Sequence, residues 1–199
     1  LGDVYKRQPA IEIGGKLALD LAGINVDDLA LIDLYSCFPV AVQLGAQSLG
    51  LGLDRQLTLT GGLPFAGGPW NNYVMHAIAT MCDQLREQPS ERGLIWANGG
   101  FTTKHAFGVY SCRPGKSSFE YADPQDEIDK LPKREVAGEA EAAGDAVVES
   151  FTVMHDRNGS PELAIATCIL PSGKRAWGTS DDSIIATAMC EGEWVGRTT

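Results

Sequence analysis

The chain has 199 residues, 44% of them hydrophobic, and carries 16 basic against 26 acidic side chains for a formal net charge of −10. That balance repels phosphate and argues against a nucleic-acid binder, and no run approaches the ~18 consecutive apolar residues of a membrane span. Its five cysteines, Cys37, Cys82, Cys112, Cys168 and Cys190, are odd in number and contain no Cys-x-x-Cys, so neither a disulfide framework nor a zinc site is indicated and a reducing cytoplasm is the expected setting.

Residues 1–8 read as a translated sequencing-adapter scar joined to a truncated gene, outside the fold. From Pro9 the residues Ile13, Leu17 and Leu21 recur every four, the pattern of an amphipathic helix closed by Gly23. Leu29 to Leu34 is an almost continuous apolar run broken by Asp33, which predicts a strand buried on both faces. Phe38 to Leu49 returns to helical spacing with Val42, Ala46 and Leu49 inward, and Leu57 to Leu59 is expected as a second strand.

Next comes Thr60-Gly61-Gly62-Leu63-Pro64-Phe65-Ala66-Gly67-Gly68-Pro69-Trp70-Asn71-Asn72, a glycine-dense loop feeding a helix that ends near Glu87. Pro69 suits a first helical position, and the unpaired amides beyond it would favour an anionic or carbonyl oxygen. Val74, Ile78, Met81 and Leu85 mark the core face of that helix. Arg92 to Ala97 and Ala106 to Cys112 are expected as two further strands, and strands alternating with helices give a layered α/β sheet over residues 9–114.

Composition changes at Arg113-Pro114-Gly115-Lys116-Ser117-Ser118. Residues 115–145 read as an acidic linker or edge segment. Residues 146–199 hold strand-like runs at Val147 to His155, Leu163 to Leu170 and Arg175 to Gly178, with hairpin turns at Arg157-Asn158-Gly159 and Pro171-Ser172-Gly173. A short helix from Asp181 to Met189 and a last strand from Trp194 to Thr198 complete a small β-rich, OB-like domain, with Thr199 read as a second truncation. Residues 115–199 carry 8 basic and 16 acidic side chains, which leaves packing as the plainer role for this domain, through Trp177 and Trp194 against the first one.

Three segments carry a family resemblance. Asp33-Leu34-Tyr35-Ser36-Cys37-Phe38, Gly61-Gly62 through Gly67-Gly68-Pro69, and Ala97-Asn98-Gly99-Gly100 resemble, in order and spacing, the active-site loops of the C-terminal half of the sterol-carrier-type thiolases. Phe65 through His76 and Lys104-His105-Ala106-Phe107-Gly108-Val109-Tyr110 resemble more closely the actinobacterial thiolase-like proteins that carry an added C-terminal domain. The resemblance implies a thiolase-type half fold, an acyltransferase superfamily and acyl-CoA or a related thioester as ligand, with no covalently bound cofactor. It also implies a missing N-terminal thiolase half that would carry the nucleophilic cysteine.

Carried onto this chain, the loops make Tyr35, Cys37 and His105 the catalytic candidates and Gly67, Gly68, Asn71, Asn72, Asn98, Gly99, Gly100 and Lys104 the substrate-binding ones. The departures matter as much. Gly68 stands where an active thiolase keeps its catalytic histidine, and Trp96 or Asn98 falls where a biosynthetic thiolase has its acid/base cysteine. Ordinary thiolase turnover is therefore not expected. Cys37 is a nucleophile or a small buried hydrophobe; Tyr35 is an oxyanion donor or a core tyrosine; His105 is a replacement base or an exposed loop residue, with Lys104 beside it to meet a CoA phosphate. His76 and His155 read as structural and solvent-facing. The alternative to an acyltransferase is a non-catalytic acyl-CoA-binding or scaffold subunit that works with a partner enzyme. Gly115-Lys116-Ser117 lacks the earlier glycine of a phosphate loop, and no metal, nucleotide or serine-hydrolase motif occurs.

Overall fold

The computed structural model of the chain describes residues 8–115 and 118–199; the scar reading of residues 1–7 and the Lys116-Ser117 part of the phosphate-loop comparison lie outside the described residues. The chain divides into two compact units, the first reaching Leu131 and the second spanning Pro132–Thr199.

The first unit is a three-stranded sheet between helices. Strand β1 (Leu31–Leu34) pairs in parallel with β2 (Arg92–Gly99), which pairs antiparallel with β3 (Lys104–Ser111). One face is covered by helices α1 (Pro9–Ala22) and α2 (Pro39–Leu49), whose apolar residues join Ile32, Leu34, Leu94 and Trp96 in one core. The other face is covered by helix α4 (Tyr73–Glu87), which buries Tyr73, Ala77, Met81 and Leu85 against Leu31 and Ile95. A short helix, α3 (Leu63–Ala66), lies within the glycine loop, and α5 (Gln125–Asp129) closes the unit.

Both α1 and α2 begin with proline at N1, where no amide partner is needed, and end on a left-handed glycine, Gly23 and Gly50, whose amides return to the last turn. The ridge of α1 that enters the core is Ile11, Gly15 and Leu19 rather than the every-fourth set from Ile13, which is half-buried. Glycine explains the rotation. A Cβ on Gly14 would lie 2.8 Å from the Phe107 ring and one on Gly15 would collide with Leu49, so the helix approaches along its bare side.

Two expectations around the glycine loop are corrected. Residues 57–59 form no strand: Leu34 donates to the Leu57 carbonyl at 2.8 Å, but the next amides turn to a side chain. The carboxylate of Asp33, fully buried in β1, accepts from Leu59 N at 2.8 Å and Thr60 N at 3.4 Å. Helix α4 also starts later than Pro69. Gly67 at φ 80° ends α3, Trp70 at φ 53° lies in the left-handed region, and Trp70–Asn72 make a 3-10 turn before α4 opens at Tyr73. A positive φ inside the first turn is incompatible with an α-helix beginning at Pro69.

The second unit is an antiparallel meander of β4 (Val147–His155), β5 (Pro161–Ile169) and β6 (Arg175–Ser180), with helix α6 (Ser183–Glu191) packed on one face. Asp182 caps α6 by accepting from Ile184 N at 2.8 Å. Segments at both edges extend the sheet: residues 135–137 exchange backbone bonds with Arg175, and residues 196–199 pair with Ala146 and Val148. Arg175 and Glu149 form a two-armed ion pair at 2.7 and 3.0 Å. Trp194 packs on this unit's own core, with its indole N–H donating to the Ala188 carbonyl at 3.1 Å and Arg197 over its ring. Trp177 sits on the sheet face opposite the buried Ala176 and is 48% exposed.

Burial pushes the Asp33 carboxyl above the ordinary carboxylate value, against the pull of the bonds from Leu59, Tyr73 and Thr60. The folded state thus holds this proton more tightly than the unfolded state. The group's contribution is greatest below the ordinary value of 3.8 and declines as pH rises through the raised one. Asp33→Asn keeps an acceptor for the two amides and can donate to Tyr73, so it should match or exceed the parent's stability at neutral pH. Asp33→Ala strands three donors and should cost on the order of 2 kcal/mol or more in chemical denaturation. An Asn variant as damaged as the Ala variant would show that the ionised form is required.

Candidate functional site

At the C-terminal ends of β1 and β2, Tyr35, Asn71, Val74, Ala97, Asn98, Gly99, Lys104, His105 and Ala106 line a cavity of about 240 Å³. Its walls come from the residues after β1, the start of α4 and the turn of the β2–β3 hairpin, which is where the strand order of an open α/β sheet gathers a ligand crevice.

The wall after β1 is fixed from Asp33. Tyr73 Oη donates to Asp33 Oδ1 at 3.1 Å, the Thr60 hydroxyl donates to Tyr73 at 2.7 Å, and Gly62 N donates to Thr60 Oγ1 at 3.1 Å. Leu63 N donates to Ser36 Oγ at 3.0 Å, and Gly62, at φ 86°, would put a Cβ 2.8 Å from that oxygen. These bonds stitch the glycine loop to the strand end. Tyr35 packs edge-on against Tyr73 with centroids 5.4 Å apart, and burial followed by the neighbouring Cys37 pushes its phenol pKa up, so it faces the cavity as a neutral hydroxyl.

The hairpin wall carries the site's polar groups. Asn98 and His105 are direct partners across β2 and β3, so their side chains leave the same face, the one that carries Trp96 and Phe107. Asn98 Nδ2 donates to Cys37 Sγ at 3.7 Å, which leaves Asn98 Oδ1 buried with no partner among the described residues. Trp96 Nε1 donates to His105 Nδ1 at 3.3 Å. An indole nitrogen can only donate, so Nδ1 is the acceptor and the neutral ring carries its proton on Nε2. That Nε2–H is likewise buried without a partner. Burial lowers the His105 pKa, with a weaker opposing pull from the Thr102 backbone, and so favours the neutral ring. His105 is therefore held as a hydrogen-bond donor. With Nδ1 taken by Trp96, the ring has no free lone pair in this tautomer.

The turn that sets these two residues is unusual. Gly100, Phe101 and Thr102 have φ of 58°, 56° and 61°, three left-handed residues in succession, two of them with side chains. Such a run costs roughly 1–2 kcal/mol per non-glycine residue. It is held by Thr103 N donating to the Gly99 carbonyl at 3.1 Å and by burial of Thr102.

Of the residues singled out in the sequence, Tyr35, Asn71, Asn98, Gly99, Lys104 and His105 meet at the cavity. Cys37 touches it through Asn98. Gly67, Gly68 and Asn72 are exposed and lie outside its lining, and Gly100 serves the turn. Trp96 is fully buried beneath α2, where a Cβ on Gly45 would stand 2.7 Å from its ring, so of the two residues near the acid/base position only Asn98 reaches the cavity. His76 Nδ1 donates to the Ala66 carbonyl at 3.2 Å and ties α4 to α3. Asp33, Ser36 and Tyr73 were not singled out. The one signal for Asp33 was a charged residue inside an otherwise apolar strand. Among the described residues no group of three or more His, Cys, Asp or Glu could hold a metal ion, and no helix is long and apolar enough to cross a membrane.

Residues 123–199 match the family described as the thiolase-like protein type 1 additional C-terminal domain. Among solved structures the chain is similar to a monomeric SCP2-thiolase like protein type 1 from Mycobacterium smegmatis, with 36% identity and a TM-score of 0.86 over 96% of this chain. The chain spans 43% of the length of that neighbour. No curated protein matches it. The chain is thus similar over residues 123–199 to this added-domain family and over most of its length to part of a thiolase-like protein.

The tautomer assignment makes a pH prediction. Nitrogen-15 spectra should show His105 as the neutral Nε2–H form at pH 6.5, where an ordinary histidine is half protonated. Because its folded pKa is lowered, its contribution to stability is complete above 6.5 and is lost as pH falls through the lowered value. A charged ring at pH 6.5, or a proton on Nδ1, would contradict the Trp96 bond.

Proposed function

We propose that the first unit holds an acyl-CoA-type thioester in the cavity at the sheet's end without turning it over as a thiolase does. The observation that carries this reading is the lining itself: Tyr35, Asn71, Asn98, Lys104 and His105 meet at the strand ends, His105 Nδ1 is taken by Trp96, and no carboxylate is found among the described residues that line the cavity. Such a set suits a polar ligand group held in place. It does not suit proton removal, which needs a group with a free lone pair in reach of the reacting atom.

The thioester identity rests on the family resemblance, and the neighbour's name is that of a thiolase-like protein. Lys104, exposed at the cavity rim, suits a phosphate of the CoA handle. A thiolase-type half preceding this one would supply the facing wall. Gly68 brings no side chain where the catalytic histidine is expected, and loss of one oxyanion donor alone costs about 10²–10³ in rate. A partner enzyme that receives or delivers the thioester is the reading that follows if binding is found without any turnover.

Titration of the 199-residue chain with CoA and acetyl-CoA, followed by NMR, should move the signals of Asn98, His105 and Tyr35 saturably, and Lys104→Glu should weaken the CoA effect. Thiolysis of acetoacetyl-CoA by a protein containing both halves should run at least about 10³-fold below an ordinary thiolase. Thiolase-like rates would refute the non-catalytic reading, and unmoved cavity signals at saturating CoA would refute the ligand.

A further inference from the structure

The chain holds two Asn-Gly steps, Asn98-Gly99 and Asn158-Gly159. Such a step is chemically labile, because glycine has no side chain to hinder attack of its own backbone nitrogen on the preceding side-chain amide. In deamidation the glycine nitrogen bonds to the asparagine Cγ and gives up its proton, and ammonia leaves. The succinimide so formed takes up water and opens to aspartate or isoaspartate. The reaction therefore needs a free glycine N–H, an amide that can turn toward it, and a nitrogen able to lose its proton.

Asn98 is shielded by its place in β2, where its Nδ2 donates to Cys37 and its Oδ1 is buried. Asn158 has no such cover: it is exposed in the turn between β4 and β5, with Gly159 at φ 85°. Each group the reaction would use is nonetheless engaged, and by one residue. Gly159 N donates to the Asp156 carbonyl at 3.1 Å. Asn158 Nδ2 reaches Asp156 Oδ2 at 3.5 Å, and Asp156 Oδ1 accepts from the backbone of Asn158 and of Ser160, each at 2.8 Å. Asp156 N closes the turn by donating to the Ser160 carbonyl at 2.9 Å. The bonds from Ser160 and then Asn158 hold the Asp156 carboxyl below its ordinary value, so it is ionised at neutral pH. A fixed negative charge there opposes loss of a proton from the neighbouring amide nitrogen.

We propose that Asn158 is a deamidation site guarded by Asp156, which keeps an exposed and labile step intact while the turn is folded. The carbonyl of Asp156 occupies the attacking N–H, and its carboxylate holds both the backbone and the side chain of Asn158. What is guarded is the hairpin itself. Isoaspartate would lengthen the backbone by one carbon, between strands that are in register at His155 and Pro161.

The test follows aspartate and isoaspartate at residue 158 by mass spectrometry in the 199-residue chain, incubated folded and in urea at one mildly alkaline pH. The folded chain should react at Asn158 at least about tenfold more slowly than the chain in urea, the weight of the hydrogen bonds that must open first. Asp156→Ala should raise the folded rate about tenfold, with amide hydrogen exchange in β4 and β5 unchanged, and Asp156→Asn, which keeps the acceptor and removes the charge, should fall between. The comparison of folded and urea rates in the parent chain needs no variant. Equal rates in the two states would overturn the proposal, as would an Asp156→Ala chain no faster than the parent. A rise in the Ala variant matched by an equal rise in β4 and β5 exchange would overturn it too, since opening of the sheet and not loss of the guard would then account for the reaction.

Discussion

One buried carboxylate organises the first unit. Asp33 lies inside a strand with no exposure, and water is replaced around it by two backbone amides and a tyrosine hydroxyl. Burying an ion without a counter-charge is costly, and the raised pKa shows that the three hydrogen bonds do not fully offset the desolvation. What the arrangement secures is position. Leu59 and Thr60 start the glycine loop, Tyr73 starts α4, and β1 leads into Tyr35 and Cys37, so a single side chain fixes the origin of three of the segments around the cavity. An apolar residue at 33 would satisfy the strand and leave all three origins loose.

The remaining wall is set by close packing rather than by charge. Gly45 lets α2 settle on the Trp96 ring, Gly14 and Gly15 let α1 approach Phe107 and Leu49, and Gly93 makes room for Met81 of α4. Because interiors are packed at crystal-like density, a ring clamped on both sides cannot drift. The indole N–H of Trp96 is thereby aimed at one nitrogen of His105, and the choice of tautomer becomes a consequence of helix packing. Core glycines and site chemistry are joined through that tryptophan.

The site was legible in the sequence where it depended on local order: loops after strand ends, with Tyr35, Asn98 and His105 in recognisable surroundings. The strands expected at Arg92 to Ala97 and Ala106 to Cys112 were legible, though both extend two residues further into the hairpin turn, and the helical face of Met81 and Leu85 was legible from periodicity. Illegible were features settled by partners distant in sequence. Leu57 to Leu59 has strand composition, yet its amides go to Asp33, 26 residues away, and no local pattern reports that. The start of α4 was misplaced because Pro69 is a good first helical residue in isolation, while the observed left-handed Trp70 overrides it. The role of His105 depended on which nitrogen a neighbouring strand residue would occupy, a matter of side-chain placement that spacing cannot express.

The strained hairpin turn fixes where Asn98 and His105 sit. Three left-handed residues in a row at Gly100, Phe101 and Thr102 are tolerated because Thr102 is buried beneath them and the register from Lys104 to Ser111 is locked to β2. Backbone held in this way cannot relax to follow a charge that develops during a reaction. Burial lowers the His105 pKa beside this turn, and the Trp96 indole fixes which ring nitrogen accepts. The turn gives up local stability and in return holds Asn98 and His105 in one fixed relation on the paired strands.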